Sequence, residues 1–357
     1  MVALLAVDPL CYQALVYAQN PWAIHLEMVC NQDMASVQNC DKPGAAENTL
    51  GYVPDWALPA GVAALMTHRH GGQSRAPYDT LNLGDHVGDD PVAVAANRRL
   101  LCRTLGVKTA FLQQVHGEAV HVLRPESGEA GAIEADIAIA QTVGLAATIM
   151  VADCLPILFA HRQRPIVAAA HAGWRGLVGA DWVDHAHPGA ASEQGKHGRH
   201  GVVARTLSAL QSLTGQTSEA LVGDLCVWLG PCIGPQAFEV GEEVRAAFIA
   251  RHAQDACYFV PQGNPDPSSN SSLRGDQAQG SHGMTATKYL ADLPGLARAE
   301  LARLGVRAVS GNDGGAAWCT VANAKAYFSY RRDQSTLGGS GGSGGSGRMA
   351  ALVWLTG

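Results

Sequence analysis

The chain has 357 residues, 47% of them hydrophobic and 16% charged, with a mean hydropathy of +0.02. That composition supports a sizeable buried core and excludes a disordered chain. A net charge of −6 excludes a broad nucleic-acid surface, which needs clustered Lys and Arg, and the lack of an apolar run of about 18 residues argues against a membrane span. The nine cysteines are odd in number and contain no CxxC pair. They read as reduced thiols in a cytoplasmic protein rather than a disulfide framework. The N-terminus is apolar but opens without Lys or Arg and is interrupted by Asp8 and Pro9, so no signal peptide is expected.

Residues 1–55 lack a periodic pattern and read as an irregular N-terminal extension. From Gly61, GVAALMTHRHGG predicts a strand entering a glycine turn, and VAVAANRRLLCRTLG predicts a helix with a glycine stop. TAFLQQVHG predicts a strand ending at His116. Residues 144–160 form a continuous apolar run interrupted at Asp153 and Cys154, and PIVAAAHAGWRG predicts a second buried strand. A polar insert at 181–201 precedes a helix near 202–214. LCVWLGPCIGP predicts strand then turn, with Cys232 in a rigid turn, and Phe238 to His252 predicts a helix. A second insert covers 261–283, after which a helix is expected over 288–304 and a strand near 306–310. The Gly/Ser tract at 338–347 has linker composition, and MAALVWL closes the chain as a strand. Nothing in either insert reads as a domain boundary, so 56–357 is expected to be one catalytic domain with inserted loops.

Three residues share a setting. His116, Cys154 and His171 each stand at or near the end of an apolar stretch, beside small turn-forming residues. Neighbouring strands would bring such ends to one rim. Two imidazoles and a thiolate suit a borderline-soft ion such as zinc, with a fourth position open for chemistry. The spacing alone is no known metal signature. A core thiol with hydrogen-bonded histidines, or a Cys154 nucleophile with His171 as its base, fits the same residues. Arg175, in HAGWRG, suits a phosphate or carboxylate, or else a local salt bridge. Asp153 is a candidate general base or a partner for a ligating histidine, the latter favoured if strand alternation turns it away from Cys154. His70 in HRHGG and Asn82 in TLNLG mark a substrate loop, and Arg331 in FSYRRD offers a second anion contact or a solvated face. The four histidines at 185, 187, 197 and 200 read as incidental to function.

Taken together, HRHGGxSxxPYDTLNLGDHVGDDP, QQVHG, VADCLPIL, AAAHAGWRGL, GPCIGPxAFEVG, FSYRRD and GRMAALVWL resemble the YfiH family. Its members carry the labels laccase-domain polyphenol oxidase, purine nucleoside phosphorylase and peptidoglycan editing factor. The resemblance runs in order from Gly61 to Leu355, leaving out residues 1–55 and both polar inserts, and the Gly/Ser tract separates Thr336 from Gly347 in a segment the family keeps continuous. It implies an α+β fold, a layered sandwich of mixed β-sheets flanked by helices, with His116, Cys154 and His171 as metal ligands. It also implies phosphorolysis of adenosine, inosine and methylthioadenosine, together with adenosine deamination. Zinc is the expected ion, with copper as the alternative. A nucleoside and phosphate are the expected small-molecule partners, for a monomer or homodimer. A peptidoglycan-precursor amidase and a copper-loaded polyphenol oxidase are the competing functions. A multi-copper oxidase needs many histidines, typically in HxH pairs, whereas only HRH and HAH occur here.

Overall fold

A computed structural model describes residues 47–48, 50–127, 133–179, 200–262, 287–337 and 345–357. The first strands in the chain are β1 (Glu47–Asn48), β2 (Gly51–Tyr52), β3 (Val62–Thr67), β4 (Lys108–Thr109) and β5 (Val120–Val122). Then come β6 (Ile137–Ala140), β7 (Leu145–Val151), β8 (Leu155–His161), β9 (Val167–Ala172) and β10 (Leu225–Leu229). The last are β11 (Glu239–Gly241), β12 (Phe259–Gln262), β13 (Lys288–Ala291), β14 (Val309–Gly311) and β15 (Met349–Leu355). The helices are α1 (Pro91–Leu105), α2 (Trp174–Val178), α3 (Gly201–Thr214), α4 (Ser218–Asp224), α5 (Glu242–Arg251), α6 (Leu293–Arg303) and α7 (Tyr330–Leu337).

Two mixed six-stranded sheets form the body, in the orders β1-β2-β3-β15-β7-β4 and β14-β10-β8-β9-β6-β5. A third, antiparallel sheet, β11-β13-β12, is not hydrogen-bonded to either, though Val240, Phe259 and Ala291 share a core with β8. Strand alternation explains the layering. In β8, Leu155, Ile157 and Phe159 pack toward α2, α3, α5 and α6, whereas Leu158 and Ala160 face the other sheet. In β15, Met349, Ala351 and Val353 face the second sheet while Ala350, Leu352 and Trp354 face Leu101 of α1. The result is helix, sheet, sheet, helices: the layered sandwich of mixed sheets flanked by helices that the resemblance implies.

Some boundaries differ from those expected. The stretch read as extension supplies β1 and β2, since Gly51 and Tyr52 pair with Thr67 and Met66. The segment before His116 is not a strand to its end. Only Lys108 and Thr109 join the sheet, and beyond them Gln113 makes a single bridge to Glu134. The helix expected over 288–304 starts later. Lys288–Ala291 pairs with β11 and β12, and Asp292 then caps α6 by accepting the Gly295 N–H at 2.9 Å. The expected 238–252 helix likewise gives its first residues to β11. The insert at 181–201 lies outside the described residues except for His200 and Gly201, the insert at 261–283 except for Pro261 and Gln262, and the Gly/Ser tract except for 345–347.

The intersheet layer sets stability. Leu158→Ala, at a fully buried position, should cost about 2–5 kcal/mol in urea unfolding, whereas Val92→Ala, 72% exposed on α1, should stay within about 0.5 kcal/mol. Equal losses would contradict this layering.

Candidate metal centre

The ends of β6, β8 and β9 lie side by side. Pro156 pairs with His171 and Ile137 with Ala170, so Cys154, just before β8, and Asp136, just before β6, flank His171. By alternation His171 shares the face of Val167 and Ala169, toward the other sheet. His116 arrives from the loop ahead of β5. The ligand atoms of His116, Cys154 and His171 all lie within 4.8 Å of one another. Cys154 Sγ stands 3.6 Å from His116 Nε2, and the two imidazole rings meet edge to face with centroids 4.8 Å apart.

Asp136 organises this group, and no feature of the sequence singled it out. Its side chain is fully buried. Oδ1 accepts the His116 N–H at 3.0 Å and His171 Nδ1–H at 2.7 Å; Oδ2 accepts the Gly117 N–H at 2.8 Å and the Val115 N–H at 3.2 Å. The His171 N–H donates to the Asp136 carbonyl at 2.9 Å. Three successive amides curl around one carboxylate, which carries His116 through a φ of +61°. For a residue with a Cβ that region costs about 1–2 kcal/mol, and the amide bonds offset it.

Cys154 is placed by a second strained turn. The apolar run breaks here, with β7 in one sheet and β8 in the other, and Asp153 between them has φ +88°. Its carboxylate accepts the Thr320 hydroxyl at 2.5 Å and the Arg331 N–H at 2.6 Å. Both oxygens are therefore engaged, and they brace the Cys154 turn. Gly173 closes the floor: a Cβ there would stand 2.9 Å from His116 Cδ2 and 3.1 Å from Cys154 Sγ.

The electrostatics agree with the geometry. Burial opposes the Cys154 thiolate, but the charge of His171 and hydrogen bonds from both histidines lower its pKa to about 6. Burial equally opposes the His171 cation, yet the Cys154 thiolate and the Asp136 carboxylate raise its pKa to about 9. For Asp136 too, burial is outweighed, here by His171 and the amides of Gly117 and Val115, and its pKa falls below the usual carboxylate range.

The remaining candidates have contacts of their own. Arg175 is exposed in the first turn of α2, its guanidinium 4.6 Å over the Trp174 ring. His70 is exposed and its Nε2 bonds the Lys325 carbonyl. Asn82 is fully buried, its amide on the Gly84 carbonyl and Asp89 and its Oδ1 accepting from the Gly84 and Arg348 N–H groups. These bonds brace the loop around it. Arg331 donates from its side chain to the Glu239 carbonyl and lies 5.9 Å from the Phe238 ring centre.

A family model described as multi-copper polyphenol oxidoreductase laccase matches residues 63–356. A purine nucleoside phosphorylase of Pseudomonas aeruginosa is 41% identical over 85% of this chain and 97% of its own length. Purine nucleoside phosphorylase YfiH of Escherichia coli K12 is 39% identical over 85% of this chain and 98% of its own. The crystal structure of a Neisseria meningitidis protein aligns with a TM-score of 0.63 at 36% identity, covering 86% of this chain and 99% of that one. These matches define a layered, laccase-like class of protein. The chain belongs to its YfiH family.

The donor set fits a single ion: two nitrogens, one sulfur and a carboxylate that fixes the tautomer of one imidazole. In metal-free protein, alkylation of Cys154 should rise with pH through a midpoint near 6, because the thiolate is the nucleophile. A midpoint near the ordinary thiol value would contradict the His171 pairing. Asp136→Asn should weaken metal affinity about 10–100-fold, read by chelator competition. Unchanged affinity would remove Asp136 from this role.

Proposed function

We propose that this chain is a zinc-dependent purine nucleoside enzyme that phosphorolyses adenosine, inosine and methylthioadenosine and also deaminates adenosine. One observation carries the reading: the convergence of His116, Cys154 and His171 within 4.8 Å, braced by Asp136. Three protein ligands are the number that catalytic zinc sites use, leaving room for a reacting partner. The names of the relatives supply the substrate class.

The bound ion supplies Lewis acidity and a nucleophile at neutral pH. Asp136 orients His171 and holds the His116 turn, while Asp153 holds the Cys154 turn through Thr320 and Arg331. His70 and Asn82 belong to the loop that borders the substrate, and Arg175 and Arg331 are outer contacts for an anion. In phosphorolysis the bond from C1′ to the base nitrogen breaks and its electron pair leaves with the base. A phosphate oxygen forms the new bond to C1′, and the proton of hydrogen phosphate ends on the base nitrogen. Deamination exchanges the C6 amino group for a water oxygen and releases ammonia. Both reactions develop charge that fixed protein donors and cations stabilise best in a water-poor cleft.

The family description favours a second reading, copper oxidation. A laccase needs a His₂Cys centre and further copper sites fed by many histidines. Among the described residues, His116, Cys154 and His171 form the one group of three or more able to hold an ion, so this reading has a single site to work with.

Incubation of zinc-loaded protein with adenosine and phosphate should release adenine and ribose 1-phosphate, together with inosine, and His171→Ala should abolish all three. Background rates with zinc bound would sink the reading. Turnover of a nucleotide-linked muropeptide with nucleosides untouched would replace it with the amidase.

A further inference from the structure

The last strand brings a further cation beside the Cys154 turn: β15 pairs with β7 with Met349 opposite Val151, which sets Arg348 across from Ala152. Arg348 immediately precedes β15, and its backbone is clamped on both sides. Its N–H donates to Asn82 Oδ1 at 2.8 Å, and its carbonyl accepts the Leu83 N–H at 3.1 Å. Its stem lies across Gly84, where a Cβ would come within 2.6 Å of Arg348 Cγ. Only glycine at 84 lets the stem take this path.

The Arg348 guanidinium is held along one edge. Nη1 donates to the carbonyls of Ser346 at 2.7 Å and Gly347 at 3.4 Å, which leaves the opposite edge, Nε and Nη2, without an acceptor among the described residues. The Tyr330 ring flanks it at 6.0 Å. Burial lowers its pKa, and the groups that act against that lowering are Cys154 first, then Asp153, Tyr330 and Tyr78. Cys154 is a metal-ligand candidate, and both oxygens of Asp153 are taken by Thr320 and Arg331. No described carboxylate lies within ion-pair distance of Arg348. Arg175, by contrast, is exposed and stacks on Trp174.

We propose that Arg348 is the residue that grips the anionic co-substrate, inorganic phosphate, with its Nε and Nη2 edge meeting two phosphate oxygens beside the metal centre. Two parallel N–H donors in a rigid plane match two oxygens of a tetrahedral anion, a geometry that a lysine cannot reproduce. Asn82 becomes the positioning residue for this contact, since it holds the Arg348 backbone through Oδ1 and is itself held by Gly84 and Asp89. The assignment rests on the phosphorolysis reading, and it makes Arg175 an outer contact.

The test compares wild type, Arg348→Gln, Arg348→Lys and the exposed control Arg99→Gln, all zinc-loaded, by initial rates against phosphate and against adenosine. Arg348→Gln should raise the phosphate KM by about tenfold or more, the worth of a lost pair of charged hydrogen bonds. The adenosine KM and the zinc content should stay near wild type, Arg348→Lys should recover part of the loss, and Arg99→Gln should behave as wild type. An unchanged phosphate KM, or a parallel rise in both KM values, would overturn the assignment. Calorimetric titration with inorganic phosphate separates this from failure of the proposed function. If wild type shows no phosphorolysis but binds phosphate and Arg348→Gln does not, Arg348 keeps its role and only the reaction is wrong. Equal phosphate binding by the two overturns it.

Discussion

One buried carboxylate, that of Asp136, supports the whole site. An ionised carboxylate taken out of water costs several kcal/mol unless its lone pairs are filled, and here four N–H donors fill them. The same bonds do two further things. They bend the chain at Val115–Gly117 so that the exposed His116 comes up against Cys154 and His171, and they fix a proton of His171 on Nδ1, leaving its Nε2 for the cluster. Loss of Asp136 would release a strained turn and a buried imidazole together, so the fold around the site and the chemistry of the site share one interaction.

A second aspartate does comparable work on the other side. Asp153 turns its carboxylate toward Thr320 and the Arg331 amide, which ties the Cys154 turn to the start of α7. The three candidate ligands therefore come from segments whose backbones are held by partners other than an ion. Such preorganisation means that metal binding need not also supply the ordering of the loops. The sheets contribute rigidity: β8 and β9 are buried along their whole length, and Cys154 and His171 inherit their register.

The strongest apolar stretches, β7, β8, β9 and β15, are plain in the sequence because both faces of each are covered and every residue but His161 and His171 is hydrophobic or small. The three ligand candidates were legible for the same reason, as polar residues at the edges of such runs. Asp136 was not. It opens a modest apolar strand, and its partners lie 20 and 35 residues away in the chain, so no local pattern marks it. Arg348 is hidden too, because its place depends on Asn82 and Gly84, more than 260 residues earlier. The Lys288–Ala291 strand reads as helix because its strand character comes from pairing with β11 and β12, not from its own residues. Asp153 was not legible by alternation, because the strand ends before it and the residue sits in a turn with φ +88°.

The account turns on a zinc ion held by His116, Cys154 and His171. X-ray absorption at the zinc edge of the purified protein tests it most directly. One sulfur at roughly 2.3 Å with two imidazole nitrogens at roughly 2.0–2.1 Å is the predicted shell, and the sulfur contribution should vanish in Cys154→Ala. A shell without sulfur, or one that Cys154→Ala leaves unchanged, would contradict it.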